Sequence, residues 1–294
     1  MKTKIVILLI FSILYALNIE AQSGWTRNKG GFFGKAGYFI VSGDTYVNVD
    51  GQALKTNTFT QQAFTVYSEY GITKNVTAIL NYPFLKFNRY DITETVSGIG
   101  DPQLEMRFAL WKKIPVVSAG IGMELPLAKK QNFAYHKVVN PQLGVKEYIN
   151  LPTGEGDFKY WGNLSVSSGF GTTPGWATIW TQYQVRGKDP ISKNDFHNRA
   201  KLGFELGYKW TTKFWTNARL VALYDAQKSK TGSNASITNG QSTQYTVLGL
   251  GASYEFMQHW SVTFDYQNYN DFLIKRTNIY ATPFFQLGVS AEFQ

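Results

Sequence analysis

From Arg199 to Asp225 the chain alternates apolar and polar residues twice over, on either side of a short Thr211-Thr212-Lys213 turn. In the first arm Ala200, Leu202, Phe204, Leu206, Tyr208 and Trp210 share one face, against Arg199, Lys201, Gly203, Glu205, Gly207 and Lys209 on the other. In the second arm Phe214, Thr216, Ala218, Leu220, Ala222 and Tyr224 oppose Trp215, Asn217, Arg219, Val221, Leu223 and Asp225. A period of two means β-strand, because successive side chains leave opposite faces. Runs this long exceed an ordinary globular strand of about 5–6 residues and match the roughly 9–11 of a tilted strand crossing a bilayer. Trp210, Phe214 and Trp215 crowd the closed end, where a membrane interface would place aromatics. The hairpin therefore predicts a piece of a transmembrane β-barrel.

The same alternation recurs from Phe32 onward. Strands are expected over 32–42, 63–72, from Val76 to about Phe84, over 101–111, from about Val117 to Leu127, and over 161–170 and 176–185. After the hairpin come 245–256, 260–269 and a terminal strand with Phe285, Leu287, Val289, Ala291 and Phe293 on one face. A last strand ending in an aromatic resembles the assembly signal of bacterial outer-membrane barrels. Short turns at 73–75, 112–115, 172–175, 211–213 and 257–259 belong on the periplasmic side, and longer polar segments at 86–98, 186–196, 226–243 and 270–279 outside. Parity then treats 128–160 as one outer connection. Reading 139–149 as a spanning strand would give thirteen, and both ends could not lie in the periplasm. The expected fold is all-β, a twelve-stranded antiparallel transmembrane barrel.

The ends fit export. Lys2 and Lys4 precede an apolar core from Ile5 to Leu17, and Ile19-Glu20-Ala21 offers a cleavage site before Gln22. Residues 1–21 are expected to be a secretory signal and 22–294 the barrel. No cysteine occurs, which excludes disulfides, thiolate metal sites and a cysteine nucleophile. Aromatic residues make up 16% of the chain, more than a soluble sandwich core would hold and suited to interfacial belts. The formal charge of +9 carries no clustered basic run, so nucleic acid is not an expected partner. Anionic lipid headgroups or anionic solutes are the better match.

Enzyme chemistry finds no constellation. His259-Trp260-Ser261 offers a His-x-Ser spacing, but it falls in a short periplasmic turn, and His136 and His197 have no comparable serine. Gly249 and Gly251 lie on a strand and smooth a lumen face rather than cradle phosphate. No catalytic residue, metal site or cofactor is expected. The inward face is more informative. It carries Glu69, Asp101, Glu105, Arg107, Glu124, Arg199, Lys201, Glu205, Lys209, Arg219, Asp225, Glu255 and Asp265. Of these, Glu105, Arg107, Lys201, Glu205, Arg219, Glu255 and Asp265 are the lumen-lining candidates. With both signs present, pairing across strands is favoured over an ion filter. The 128–160 connection exceeds the usual loop limit of about 12–15 residues, and its apolar residues argue against disorder. It either packs on the rim or folds into the lumen, and residues 22–31 are a second possible occupant.

Ser97-Gly98-Ile99-Gly100-Asp101-Pro102-Gln103-Leu104, Leu125-Pro126-Leu127 and Leu151-Pro152-Thr153-Gly154 with Gly156-Asp157 resemble elements of a broad family of outer-membrane barrels labelled as a MetA pathway of phenol degradation. The long segment preceding Leu151 departs from that pattern. The resemblance implies transport of small apolar or aromatic compounds and supplies no functional residues. The chain is thus expected to be an outer-membrane channel or facilitator for a small solute, surrounded by lipid and lipopolysaccharide. The alternative is a closed barrel that docks a protein partner in the envelope.

Overall fold

The computed structural model describes residues 24–188, 196–225 and 242–293. The expected signal segment 1–21 and most of the outer segments 186–196 and 226–243 lie outside the described residues. Within them the chain forms β1 (Phe32–Val47), β2 (Ala53–Thr73), β3 (Val76–Tyr90), β4 (Val96–Gly98), β5 (Gln103–Trp111), β6 (Val116–Glu124), β7 (Phe133–Tyr135) and β8 (Tyr148–Asn150). It continues through β9 (Lys159–Phe170), β10 (Thr173–Arg186), β11 (Arg199–Lys209), β12 (Phe214–Asp225), β13 (Tyr245–Met257), β14 (Trp260–Asn270), β15 (Ile279–Tyr280) and β16 (Phe284–Phe293). Twelve of these pair antiparallel with their neighbours around a ring, and β1 closes it by pairing with both β2 and β16. The strands β4, β7, β8 and β15 are short pieces of the outer connections.

Burial is inside-out relative to a water-soluble protein. The buried set is dominated by polar groups such as Glu69, Arg107, Ser165, Thr178, Glu205 and Asp265, while Leu164, Ile179, Leu202, Leu248, Val262 and Leu287 are exposed. Strand β9 alternates buried and exposed residues from Lys159 through Ser167. An apolar outside around a polar inside is the arrangement that lipid selects, and closure leaves no unpaired strand edge in hydrocarbon.

The expected strand count and order hold, with corrections at the ends. Strands β1 and β2 run on to Val47 and back to Ala53 as a projecting hairpin, so the second strand begins ten residues before the expected Ala63. Outside the membrane, polar residues on both faces pair as well as alternating ones, and no hydropathy signal marks them. Strand β3 likewise consumes the first part of the 86–98 segment. The turn expected at 172–175 is Gly171-Thr172, and β10 starts at Thr173 with an irregular register before Trp176. Trp215 is no interfacial residue: it faces the lumen cavity, as its parity with Asn217 and Arg219 requires.

Residues 125–158 connect β6 to β9 without a spanning strand. The β7–β8 hairpin forms their outer part. Leu151 and Ala134 are buried with Phe59, Tyr90 and Tyr280, where the lumen-side face of β2 continues above the membrane. The Phe59 and Tyr280 rings lie 5.2 Å apart, and the Tyr90 and Tyr280 hydroxyls are 2.9 Å apart. The connection is therefore anchored by a small core of its own.

Candidate functional site

The lumen encloses a cavity of about 760 Å³. Its lower boundary is the chain before β1. The Gly24 amide donates to Ser167 Oγ at 2.7 Å, and the Arg27 amide donates to Thr77 Oγ1 at 2.8 Å. The Arg27 guanidinium pairs with Glu69 at 2.7 Å and with Glu292, and it lies over the Phe33 ring. These contacts reach from β9 across to β2, β3 and β16, so the segment crosses the barrel at the end bearing the short turns. Gly71 permits the crossing, since a Cβ there would sit 1.8 Å from the Asn28 carbonyl oxygen.

The opposite end is narrowed by residues 151–157, which turn inward. Lys86 Nζ donates to the Thr153 carbonyl at 2.7 Å, and Asn88 Nδ2 to that of Pro152 at 2.7 Å. Asp101 accepts the amides of Ala128 at 2.8 Å and Glu155 at 3.1 Å. Arg186, fully buried, holds Asp157 through two hydrogen bonds of 2.9 Å and also pairs with Glu155. Lys159 lies 3.3 Å from Glu155 and pairs with Glu124. Burial alone would raise the Glu155 carboxyl, but the Arg186, Lys159 and Arg199 cations outweigh it and hold it well below the usual carboxylate range. Residues 24–28 thus border the lumen at one end and 151–157 at the other, while the β7–β8 part of the 128–160 connection stays outside on its own small core.

The lumen-lining candidates separate in the structure. Glu205 and Arg219 face each other in register and pair at 3.1 Å, with Asn217 Nδ2 donating to the same carboxylate at 2.9 Å. Glu105 accepts from Trp161 Nε1 at 3.0 Å and Asn163 Nδ2 at 2.9 Å, and Arg107 lies 3.7 Å away. Arg107 also reaches Glu69 at 3.5 Å and donates to the Trp25 carbonyl at 3.5 Å. Asp265 pairs with Lys35 at 2.5 Å. Lys201, Arg219 and Asp265 border the main cavity, while Glu105, Arg107 and Lys201 surround a smaller one of about 50 Å³. Glu255 is half-buried near the β13–β14 turn, and Lys209 is exposed at the end of β11; neither borders the main cavity. Among the described residues, the three histidines do not assemble with a serine. His259 packs its ring 5.2 Å from Phe293, and Ser261 is buried on the lumen side.

Sequence reasoning missed the apolar wall of the cavity. Val221 and Leu223 of β12 meet Val247 and Tyr245 of β13 in register, and Val247 meets Tyr269 of β14. Across β16 and β1, the Phe284 and Phe39 rings are 5.0 Å apart. All border the cavity. Their signal was legible: Val221 and Leu223 share parity with Asn217 and Arg219, so they had to point inward. On β10, Trp180 faces Gly203 of β11 in register, where a Cβ would be 2.1 Å from the indole. The cavity thus has ionic residues at both ends, among them Arg27 and Glu69 at one and Glu155 and Lys159 at the other, with this apolar wall along one side.

The family model described as "Putative MetA-pathway of phenol degradation" matches residues 26–277. No match was found among curated proteins. Among solved structures, an outer-membrane channel from Pseudomonas putida F1 superposes with a TM-score of 0.63 at 13% identity, covering 94% of this chain and 100% of that one. The translocator domain of the autotransporter NalP from Neisseria meningitidis gives a TM-score of 0.54 at 13% identity, with 92% and 91% covered. At these identities the likeness is one of fold.

Proposed function

The chain belongs to the family described as "Putative MetA-pathway of phenol degradation", and we propose that it is an outer-membrane channel for passive passage of a small, predominantly apolar solute. The observation that carries this reading is the cavity of about 760 Å³ inside the barrel, walled on one side by Val221, Leu223, Val247, Phe39 and Phe284. A barrel serving only as scaffold gains nothing from an apolar chamber in its polar interior, whereas a weakly charged solute needs one. Support also comes from the similar barrel of the outer-membrane channel from Pseudomonas putida F1. Lipid and lipopolysaccharide surround the barrel in this reading, and no chemical step is assigned to it. The competing reading, a closed barrel that docks an envelope protein, draws on the Arg27 ion pairs that hold residues 24–28 across the inner end.

Single-channel conductance in planar bilayers separates the two. The refolded protein is measured beside a variant lacking residues 130–155. The channel reading expects steady conductance in the parent, or a silent parent whose deletion conducts. Silence from both, with each barrel shown folded by heat-modifiable migration, would favour the docking reading.

A further inference from the structure

Four exposed lysines gather at the short-turn end of the barrel, on three pieces of chain that the fold brings together. Lys74 forms the β2–β3 turn with Asn75, Lys112 and Lys113 begin the β5–β6 turn, and Lys29 lies in the segment before β1. The Lys74 carbonyl is where the three pieces meet. It accepts from Lys112 Nζ, and from Thr26 Oγ1 at 3.3 Å. The Gly30 amide donates to the Gly71 carbonyl at 2.8 Å, which sets Lys29 beside the end of β2. Among the described residues none of the four lysines pairs with a carboxylate. Glu69 of β2 is buried and held by Arg27 and Arg107, and Glu292 of β16 is held by Arg27. The corner therefore presents positive charge with nothing of the chain's own to balance it.

We propose that this corner binds the phosphate headgroup of an anionic phospholipid in the leaflet on that side of the membrane. The chain of β5 passes from hydrocarbon to water in the order such a site requires. Leu110 shares outward parity with Leu104, Met106 and Phe108, Trp111 follows, and then the two lysines. Leu110, Trp111 and Ile114 are 59%, 54% and 68% exposed, so apolar side chains flank the cations on the lipid side. Indoles settle at headgroup level. Lys113 Nζ lies 5.9 Å from the centre of the Trp111 ring, which puts an ammonium at the height of the phosphates. Lysine only donates, and its bonds to phosphate oxygen are charge-assisted. A zwitterionic headgroup brings its own ammonium into the cluster and is repelled, so the anionic lipid is selected. The β11–β12 turn offers a contrast. It also carries Lys209 and Lys213, but there Glu255 lies alongside, its amide donating to the Lys213 carbonyl at 2.7 Å. The lipid site needs only the membrane barrel and stands whether or not the barrel conducts.

Native mass spectrometry of the full protein in a nonionic detergent tests this with phosphatidylglycerol and phosphatidylcholine of the same acyl chains. The parent is expected to bind the anionic lipid more tightly. Lys74→Gln with Lys112→Gln should weaken that binding by roughly five-fold per charge removed and leave the zwitterionic lipid unaffected. Lys74→Arg with Lys112→Arg keeps the charge and should bind like the parent. Lys209→Gln with Lys213→Gln removes the same charge at the other turn and should also bind like the parent. Equal affinity of the parent for the two lipids overturns the proposal. Equal weakening by the two glutamine pairs overturns it as well, since a diffuse field would then replace a site. Loss of binding in the arginine pair would show that the lysines act through the shape of the turns, and the site fails again. A soluble polyglutamate that binds the parent when phosphatidylglycerol does not would assign the corner to an acidic protein instead. Heat-modifiable migration shows that each variant is folded.

Discussion

Single side chains in this lumen act mainly by cancelling one another's burial. Arg186 is the clearest case, since its guanidinium is fully buried against Asp157 and Glu155. Removing one partner of such a cluster leaves uncompensated charge in a poorly solvated place, which costs about 3–5 kcal/mol. Arg186→Ala should lower stability by that order, read as the urea-unfolding free energy in vesicles, and a loss within error would show that the cluster is well hydrated. Arg27 works at the other end. It ties residues 24–28 to Glu69 and Glu292, so Arg27→Ala should loosen the inner closure and raise single-channel conductance. An unchanged conductance would mean that the backbone bonds of Gly24 and Arg27 hold the segment by themselves.

At the scale of elements, each barrel strand has a lipid face and a lumen face that tolerate opposite things. Leu206 sits mid-strand on the outward side of β11, two residues from the exposed Phe204. Leu206→Arg should cost about 2–4 kcal/mol near the bilayer midplane, read as loss of heat-modifiable migration on gels. A variant that assembles like the parent would place Leu206 outside the membrane core. The inward segment 151–157 responds to acid instead. The Glu155 carboxyl titrates below its ordinary value when folded, so its contribution to docking is complete above the free glutamate value of about 4.3, shrinks as pH falls below that and is gone by the lower folded value. Limited pepsin digestion on either side of that pH should find the outer connection protected above and cleaved below. Glu155→Gln should be cleaved on both sides, and equal protection of the two proteins throughout would remove Glu155 from the anchor.

For the whole molecule, the number of strands, their order and a single outer connection between β6 and β9 were legible in residues, expected over 128–160 and found over 125–158. Alternation is a local property, and lipid outside against a lumen inside enforces it strand by strand. Leu202 to Leu206 and Leu248 to Leu250 each announce their face without reference to anything distant. Closure through β1 and β16 follows because an open edge cannot be satisfied in hydrocarbon. The strand ends at Val47 and Ala53 were not legible, since water solvates both faces of a projecting hairpin and leaves no pattern.

Parity also placed Val221 and Val247 inside, but it could not say that they gather with Phe39 and Phe284 around one chamber. That meeting depends on which strands close the ring and how they are staggered, quantities no single strand encodes. The same holds for Arg27 with Glu69 and for Arg186 with Asp157, pairs separated by 42 and 29 positions. Chain entropy alone disfavours bringing such distant groups together, and only the closed barrel supplies the free energy to do so. By itself the sequence therefore determined a membrane barrel with a polar inside, because each strand meets lipid independently of its neighbours. Tertiary structure decided that the inside is a chamber, bounded by the chain before β1 at one end and by residues 151–157 at the other, because those contacts exist only once the ring has closed.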